Sequence, residues 1–185
     1  MATDFDRRDR FQAVADVVYE PLQRYLGRRA RPGDVSDLLN DALLVIWRRL
    51  DDVPTDDPLP WSYAVASRCL ANHRRGELRR LRLVDRLIAQ PRNRDVTSEP
   101  MMIQDGPVAL ASALDELGES DRELIRLWAW EQLEPRQIAT VMGTTANAVS
   151  LRLTRAKKRL AASMRRQDGV RAGQEEFGHR REPRT

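Results

Sequence analysis

Leu133-Glu134-Pro135-Arg136-Gln137-Ile138-Ala139-Thr140-Val141-Met142-Gly143-Thr144-Thr145 is the stretch that decides the fold, together with the segment from Ala146 to Leu160 that follows it. Pro135 suits a first helical position, where its missing N–H would be unpaired anyway. Gly143 can take the left-handed conformation that ends a short helix. Thr145 can cap the next helix with its hydroxyl. Helix, tight turn and capped helix together make a helix-turn-helix signal. In the second helix, running from Ala146 to about Met164, Val149, Leu153, Ala156 and Leu160 fall on one face. Asn147, Leu151, Thr154 and Lys158 point the opposite way, flanked by Ser150 and Arg155. No acidic residue occurs between Pro135 and Gln167. An apolar inner face and an acid-free outer face are what a major-groove reader needs. A solvated basic helix closing a bundle is the alternative, and it gives no reason for the turn and the caps.

Charge points the same way. The net charge is only +4, yet the pI is about 9.8, and the basic excess is unevenly placed. That distribution favours nucleic acid over an acidic protein partner. Lys157 and Lys158 are the only lysines, so nearly every cation is an arginine. Cys69 is the single cysteine, which excludes an internal disulfide and a cysteine metal cluster and fits a reducing compartment. The charged start, Met1 to Arg7, lacks the apolar core of a signal peptide. No apolar run reaches the length of a membrane span.

Working outward toward the N-terminus, Phe11, Val14, Val18, Leu22, Tyr25 and Leu26 form a helical stripe, with Pro21 expected to kink or divide it. Asp34 is a candidate N-cap for the next helix, with Asp37 at the capping-box position. There Val35, Leu38, Leu39, Ala42, Leu43, Ile46 and Leu50 make the buried stripe. Asp37, Asn40, Asp41, Leu44 and Arg48 make a second face, on which an apolar Leu44 among acids suggests a partner surface. The loop Asp51 to Pro60 holds four aspartates without the alternating ligands or central glycine of a calcium loop, and reads as a solvated acidic loop. A helix then begins near Pro60 with Trp61, Tyr63, Val65, Cys69 and Leu70. From Arg68 to Arg94 it and its extension carry nine arginines against Glu77 and Asp85 alone. Aromatic rings followed by dense cations meet the two needs of single-strand binding. Trp61 as an ordinary core residue is the alternative.

Gln90 to Gly106 reads as a linker by its polar residues and flanking prolines. Periodicity resumes at Val108, and Ser120-Asp121-Arg122-Glu123 has capping-box form ahead of Leu124, Ile125, Leu127 and Trp128. The polar tail from Gln167 to Thr185 has little to bury and is expected to be disordered. The fold class is therefore all-α: two small helical domains joined by a flexible linker, the second a four-helix helix-turn-helix domain. The expected boundaries are 1–89, 90–106 for the linker, 107–166, and 167–185 for the tail.

Two blocks resemble the extracytoplasmic-function (ECF) group of bacterial sigma factors. Asp34 to Arg49, with Asp37, Asp41, Trp47 and Arg48, looks like the helix by which the group holds RNA polymerase. Here Asn40-Asp41 stands where the group often has Gln-Glu. The block from Pro60 to Arg68, followed by Arg74-Arg75, resembles the promoter-melting helix, with Ser67-Arg68 in place of a common Arg-Asn. In the second half, Leu117 to Glu123, Gln137-Ile138-Ala139, Met142-Gly143 and Val149 to Lys157 are similar to the region-four helix-turn-helix. The resemblance spans roughly residues 8 to 165. It implies a cytoplasmic, non-enzymatic sigma factor without cofactor, metal or membrane segment. Its partners would be core RNA polymerase, through the beta-prime and beta subunits, and promoter DNA, with an anti-sigma factor as a further partner of many members. Implied polymerase contacts are Asp37, Leu38, Asn40, Asp41, Leu44 and Arg48. Trp61, Tyr63, Arg68, Asn72, Arg74 and Arg75 would hold the melted minus-ten element. Thr145, Asn147, Ser150, Leu151, Arg152, Thr154, Arg155 and Lys158 would read the minus-thirty-five element as duplex.

Two rivals come from other classes. A dimeric helix-turn-helix regulator would use residues 1 to 90 for dimerisation or ligand binding and would bind palindromic sites. A small metal-dependent nuclease would use the Asp51–Asp57 loop, but His73 and His179 are isolated in the sequence and no paired catalytic constellation accompanies them.

Overall fold

The computed structural model of the 185-residue chain describes residues 4–88 and 108–178, with side chains over 5–82 and 110–166. All regular structure among these is helical. First come α1 (Asp4–Gly27), a 3-10 turn (Pro32–Asp34), α2 (Val35–Arg48), a second 3-10 turn (Leu50–Asp52) and α3 (Pro58–Ile88). Then follow α4 (Val108–Asp115), α5 (Glu119–Ala129), α6 (Pro135–Met142) and α7 (Ala146–Gly178). The chain divides into two compact units, Met1–Met102 with Thr140–Gly143, and Ile103–Ala139 with Thr144–Thr185. The expected linker, 90–106, lies outside the described residues.

In the first unit α1, α2 and α3 pack on one another. Val18, Leu22, Tyr25 and Leu26 of α1 are fully buried, as are Leu38, Leu39, Ala42 and Ile46 of α2. The rings of Tyr25 and Tyr63 meet at 5.1 Å, joining α1 to α3, and Phe11 meets Trp47 edge-on at 5.2 Å. Pro21 does not divide α1, which is continuous through it. A proline in a helix interior costs about 3 kcal/mol. Each fully buried Val, Leu or aromatic side chain offsets about 1.5–3 kcal/mol, and four such residues flank this proline.

Asp34 occupies the N-cap position of α2, but its side chain makes no capping bond. Its carboxylate instead lies 3.3 Å from His73 Nε2 on α3. A tertiary contact has taken the side chain that local chemistry assigned to the helix end.

The second unit buries Leu114 and Leu117 from the end of α4, Leu124, Ile125 and Leu127 of α5, Ile138 of α6, and Val149, Leu153 and Ala156 of α7. Arg122 is its staple. The guanidinium donates to the carbonyls of Leu114 (2.9 Å), Asp115 (2.9 Å) and Leu117 (3.2 Å). They lie at the end of α4 and in the turn after it, where backbone carbonyls run short of helical partners; that of Leu114 also accepts the N–H of Leu117 at 3.1 Å. Arg122→Ala should therefore lower stability by about 2 kcal/mol, since hydrogen bonds from a charged donor contribute about 1.5–3 kcal/mol each and water recovers part of the loss. Urea denaturation followed by circular dichroism measures it. An unchanged midpoint would remove Arg122 from the account of α4.

The capping box expected at Ser120 does not form. α5 begins one residue earlier, at Glu119, with extended Gly118 as its N-cap. Ser120 is thereby inside the first turn, and its hydroxyl accepts from Arg152 of α7 at 2.8 Å. Expected disorder from Gln167 onward also gives way, because α7 continues to Gly178. Ala161, Ala162, Met164, Arg165 and Arg166 are strong helix formers, and a nucleated helix extends at one hydrogen bond per residue fixed. The remainder of the expected tail, 179–185, lies outside the described residues.

Candidate nucleic-acid interface

The turn between α6 and α7 is built as its residues dictate. Pro135 opens α6, and Gln137 Oε1 accepts the backbone N–H of Glu134 at 2.9 Å, one half of a capping box. Gly143 ends α6 with φ at +64°, and the N–H of Thr144 reaches back to the carbonyl of Ala139 at 3.0 Å. Together these form a Schellman stop. Thr145 Oγ1 then accepts the N–H of Ala148 at 3.2 Å, capping α7. That hydroxyl, read as a duplex contact, is committed to the helix start.

α7 divides into faces as its periodicity requires. Val149, Leu153 and Ala156 are buried, whereas Asn147, Ser150, Leu151, Thr154, Arg155 and Lys158 are all exposed. Leu151 is 54% exposed, which a structural helix has no need of. The hydroxyls of Ser150 and Thr154 donate to the carbonyls of Ala146 (2.9 Å) and Ser150 (3.0 Å). Their oxygens therefore face outward as acceptors. Arg152 departs from its expected role: it lies against Asp121 Oδ1 at 2.9 Å and Ser120, inside the domain. Periodicity places it at the edge of the stripe, and an acid 31 residues away decides which way it turns. Lys157 sits 3.3 Å from the centre of the Trp128 ring, so it too is engaged. Arg155 and Lys158 carry no ion pair among the described residues.

On the first unit, Asp37, Asn40, Asp41, Leu44 and Arg48 of α2 are exposed along one face, Leu44 by 45%. Leu38 is 1% exposed and belongs to the core, so it cannot share that surface. Its place in the apolar stripe outweighed its place among the acids. Asp41 also acts on Cys69: burial pushes the thiol pKa up, and the nearby Asp41 carboxylate adds to it. Both effects disfavour the thiolate, the reactive form.

Along α3, Trp61 is half-buried, while Arg68, Asn72, Arg74 and Arg75 are exposed. Tyr63 is only 4% exposed and packs tilted against Tyr25, so its ring is not available to a base. Arg74 donates to the carbonyl of Arg29 at 2.8 Å, tying α3 to the chain after α1. Arg75 holds Asn72 Oδ1 at 2.6 Å. Leu78 and Leu81, missed in the sequence, are exposed by 38% and 46% among Arg79, Arg80 and Arg82. Their three-residue spacing, off the core stripe, was the available signal.

Spatially His73 is not isolated. Asp34, His73 and Glu77 bring three ligand atoms within 4.8 Å of one another, a set that could hold a cation. Glu77 is already paired with Arg31 at 2.9 Å, and the four residues form a polar cluster joining α3 to the start of α2. The acidic loop is engaged as well: Asp51 pairs with Arg7 and Arg10, and Asp52 with Arg49 at 2.8 Å. Those carboxylates anchor the loop to its neighbours, which takes them from the nuclease reading. Among the described residues no helix is long and apolar enough to cross a membrane.

Residues 108–160 match the family described as Sigma-70, region 4. The RNA polymerase sigma factor NccH of Alcaligenes xylosoxydans xylosoxydans is 27% identical over 139 residues, covering 70% of this chain and 72% of that protein. The fold resembles that of the sigma factor RpoE of Bartonella quintana, solved with the anti-sigma factor NepR, at a TM-score of 0.55 and 19% identity over 84% of this chain and 96% of the other. It also resembles the PhyRSL–NepR complex of Sphingomonas sp. Fr1, at a TM-score of 0.55 and 21% identity over 83% and 88%. With the helix-turn-helix in place at the matched residues, 108–160 form a Sigma-70 region 4 domain, and over most of its length the chain is similar to a sigma factor.

Proposed function

We propose that the protein directs transcription initiation by binding core RNA polymerase and presenting it with promoter DNA. The observation that carries this is the division of α7: a capped, glycine-set helix whose outer face offers Asn147, Ser150, Leu151, Thr154, Arg155 and Lys158 and no acid. Such a surface suits base edges in the major groove, with Lys158 on phosphate. Asp37, Asn40, Asp41, Leu44 and Arg48 form the polymerase-binding surface. Trp61, Arg68, Asn72 and Arg75 receive the opened strand, helped by the cations after Gly76. Residues 1–89 and 107–166 act as the two functional domains, with 90–106 between them. The protein works in the cytoplasm, beside its polymerase, as a regulator and not as an enzyme. An anti-sigma factor is a further partner, by likeness to the Bartonella complex.

Reconstitution tests the reading. The chain is mixed with bacterial core RNA polymerase and passed over a sizing column, where the two should co-elute. Separate elution, together with tight binding to a palindromic duplex without polymerase, would put a dimeric regulator in its place.

A further inference from the structure

Arg152, Arg155 and Arg159 are spaced by three and four residues, so they share one edge of α7, beside the reading face. Among the described residues only the middle one is left unpaired. Asp121 of α5, with its side chain 14% exposed, takes Arg152 on Oδ1 and Arg159 on Oδ2, each at 2.9 Å. Ser120 Oγ adds a second acceptor for Arg152 at 2.8 Å. Farther along, Arg166 is held by Glu116 at 2.6 Å. A single carboxylate thus straddles two cations that would otherwise face the same way as Arg155.

We infer that Asp121 is a positioning residue that limits how much positive charge the reader helix offers to DNA. It holds Arg152 and Arg159 against α5 by their guanidinium groups and leaves Arg155 as the one unpaired guanidinium of that edge among the described residues. The inference rests on the reading that α7 faces duplex DNA. Phosphate contacts add affinity without sequence information, and each one steepens the salt dependence by about 0.9. Two further free arginines on this edge would raise binding to every sequence alike and so dilute discrimination. Asp121 is mostly withdrawn from solvent, so salt screens its pair with the part-buried Arg152 less than it screens a pair exposed at both ends. The restraint therefore holds under the ionic conditions in which promoters are chosen.

The experiment is a binding series with holoenzyme on a promoter duplex and a duplex scrambled in its upstream element, at several salt concentrations. Asp121→Asn, which keeps the shape and removes the charge, should bind the scrambled duplex about tenfold tighter at low salt, with a salt slope steeper by about one to two. The ratio of promoter to scrambled affinity should fall accordingly. Arg152→Gln with Arg159→Gln, made with Asp121 intact, should leave the slope within half a unit of the parent, because neither arginine contacts DNA there. A parental slope in a folded Asp121→Asn protein would overturn the inference. Should Asp121→Asn fail to fold, the double glutamine variant decides: a slope shallower by about two would mean that both arginines already meet phosphates, against the inference. Arg155→Ala in the same series separates the two levels. Loss of promoter preference in that variant upholds the DNA-facing reading whatever Asp121 does, whereas no change in it removes that reading and this inference together.

Discussion

Asp41→Arg combined with Leu44→Ala should abolish co-purification with core RNA polymerase while leaving the fold in place. Both residues are exposed on α2, on the face away from Leu38, Leu39, Ala42 and Ile46, which hold the helix in the core. Neither exchange removes a buried contact, and arginine and alanine are better helix formers than aspartate and at least as good as leucine. The melting temperature should therefore move little. At the interface the changes act together. Leu44 gives up its apolar contact, and a like charge placed against a partner surface costs several kcal/mol, which is about 100-fold or more in affinity. Cys69 supplies an internal check. Asp41 contributes to the raised pKa of that thiol, so charge reversal must lower it and raise the thiolate fraction. Alkylation of Cys69 should be faster in the variant than in the parent at the same pH. Undiminished binding to the core enzyme, with the expected change at Cys69, would show that this face of α2 is not the polymerase surface.

The second large effect belongs to Arg155. It is exposed and carries no ion pair among the described residues. Its forked donors can take a guanine edge through two hydrogen bonds. Arg155→Ala should cost about 1–3 kcal/mol of promoter binding and relax preference at one position of the upstream element. Lys158, a point charge one turn along, should behave differently. Lys158→Ala weakens all sequences similarly and lowers the salt slope by about one. A set of single-base promoter variants, bound by holoenzyme at several salt concentrations, distinguishes the two. Equal, sequence-independent losses would make Arg155 a phosphate contact.

Features governed by neighbours in the chain were legible from the residues. Pro135, Gly143 and Thr145 each answer a demand of the local backbone, and each does in the structure what its chemistry suggests. The core stripes of α1, α2 and α7 follow from helical spacing in the same way. Side chains with two possible employments were not legible. Leu38 lies in both the apolar stripe and the acidic face, and Tyr63 could be either stacking ring or core ring. Burial decides both, and burial is a property of the assembled helices. Arg152, Arg74 and Asp34 illustrate the long-range case: each has a plausible local use and is diverted by a partner more than 30 residues away. Arg122 is the converse, a residue inside an expected capping box whose work is to close the end of the preceding helix. Where α7 stops was obscure for another reason: the helix continues on propensity after its apolar stripe has ended, so periodicity gives no sign of it.

Run-off transcription from a reconstituted system tests the central claim most directly. Core RNA polymerase is incubated with the chain and a library of linear promoter fragments, and transcripts are mapped by their starts. Starts confined to templates that share two elements at a fixed spacing, absent without the chain and absent with Asp41→Arg/Leu44→Ala, are the predicted result. Starts that are the same with and without the chain would contradict the account.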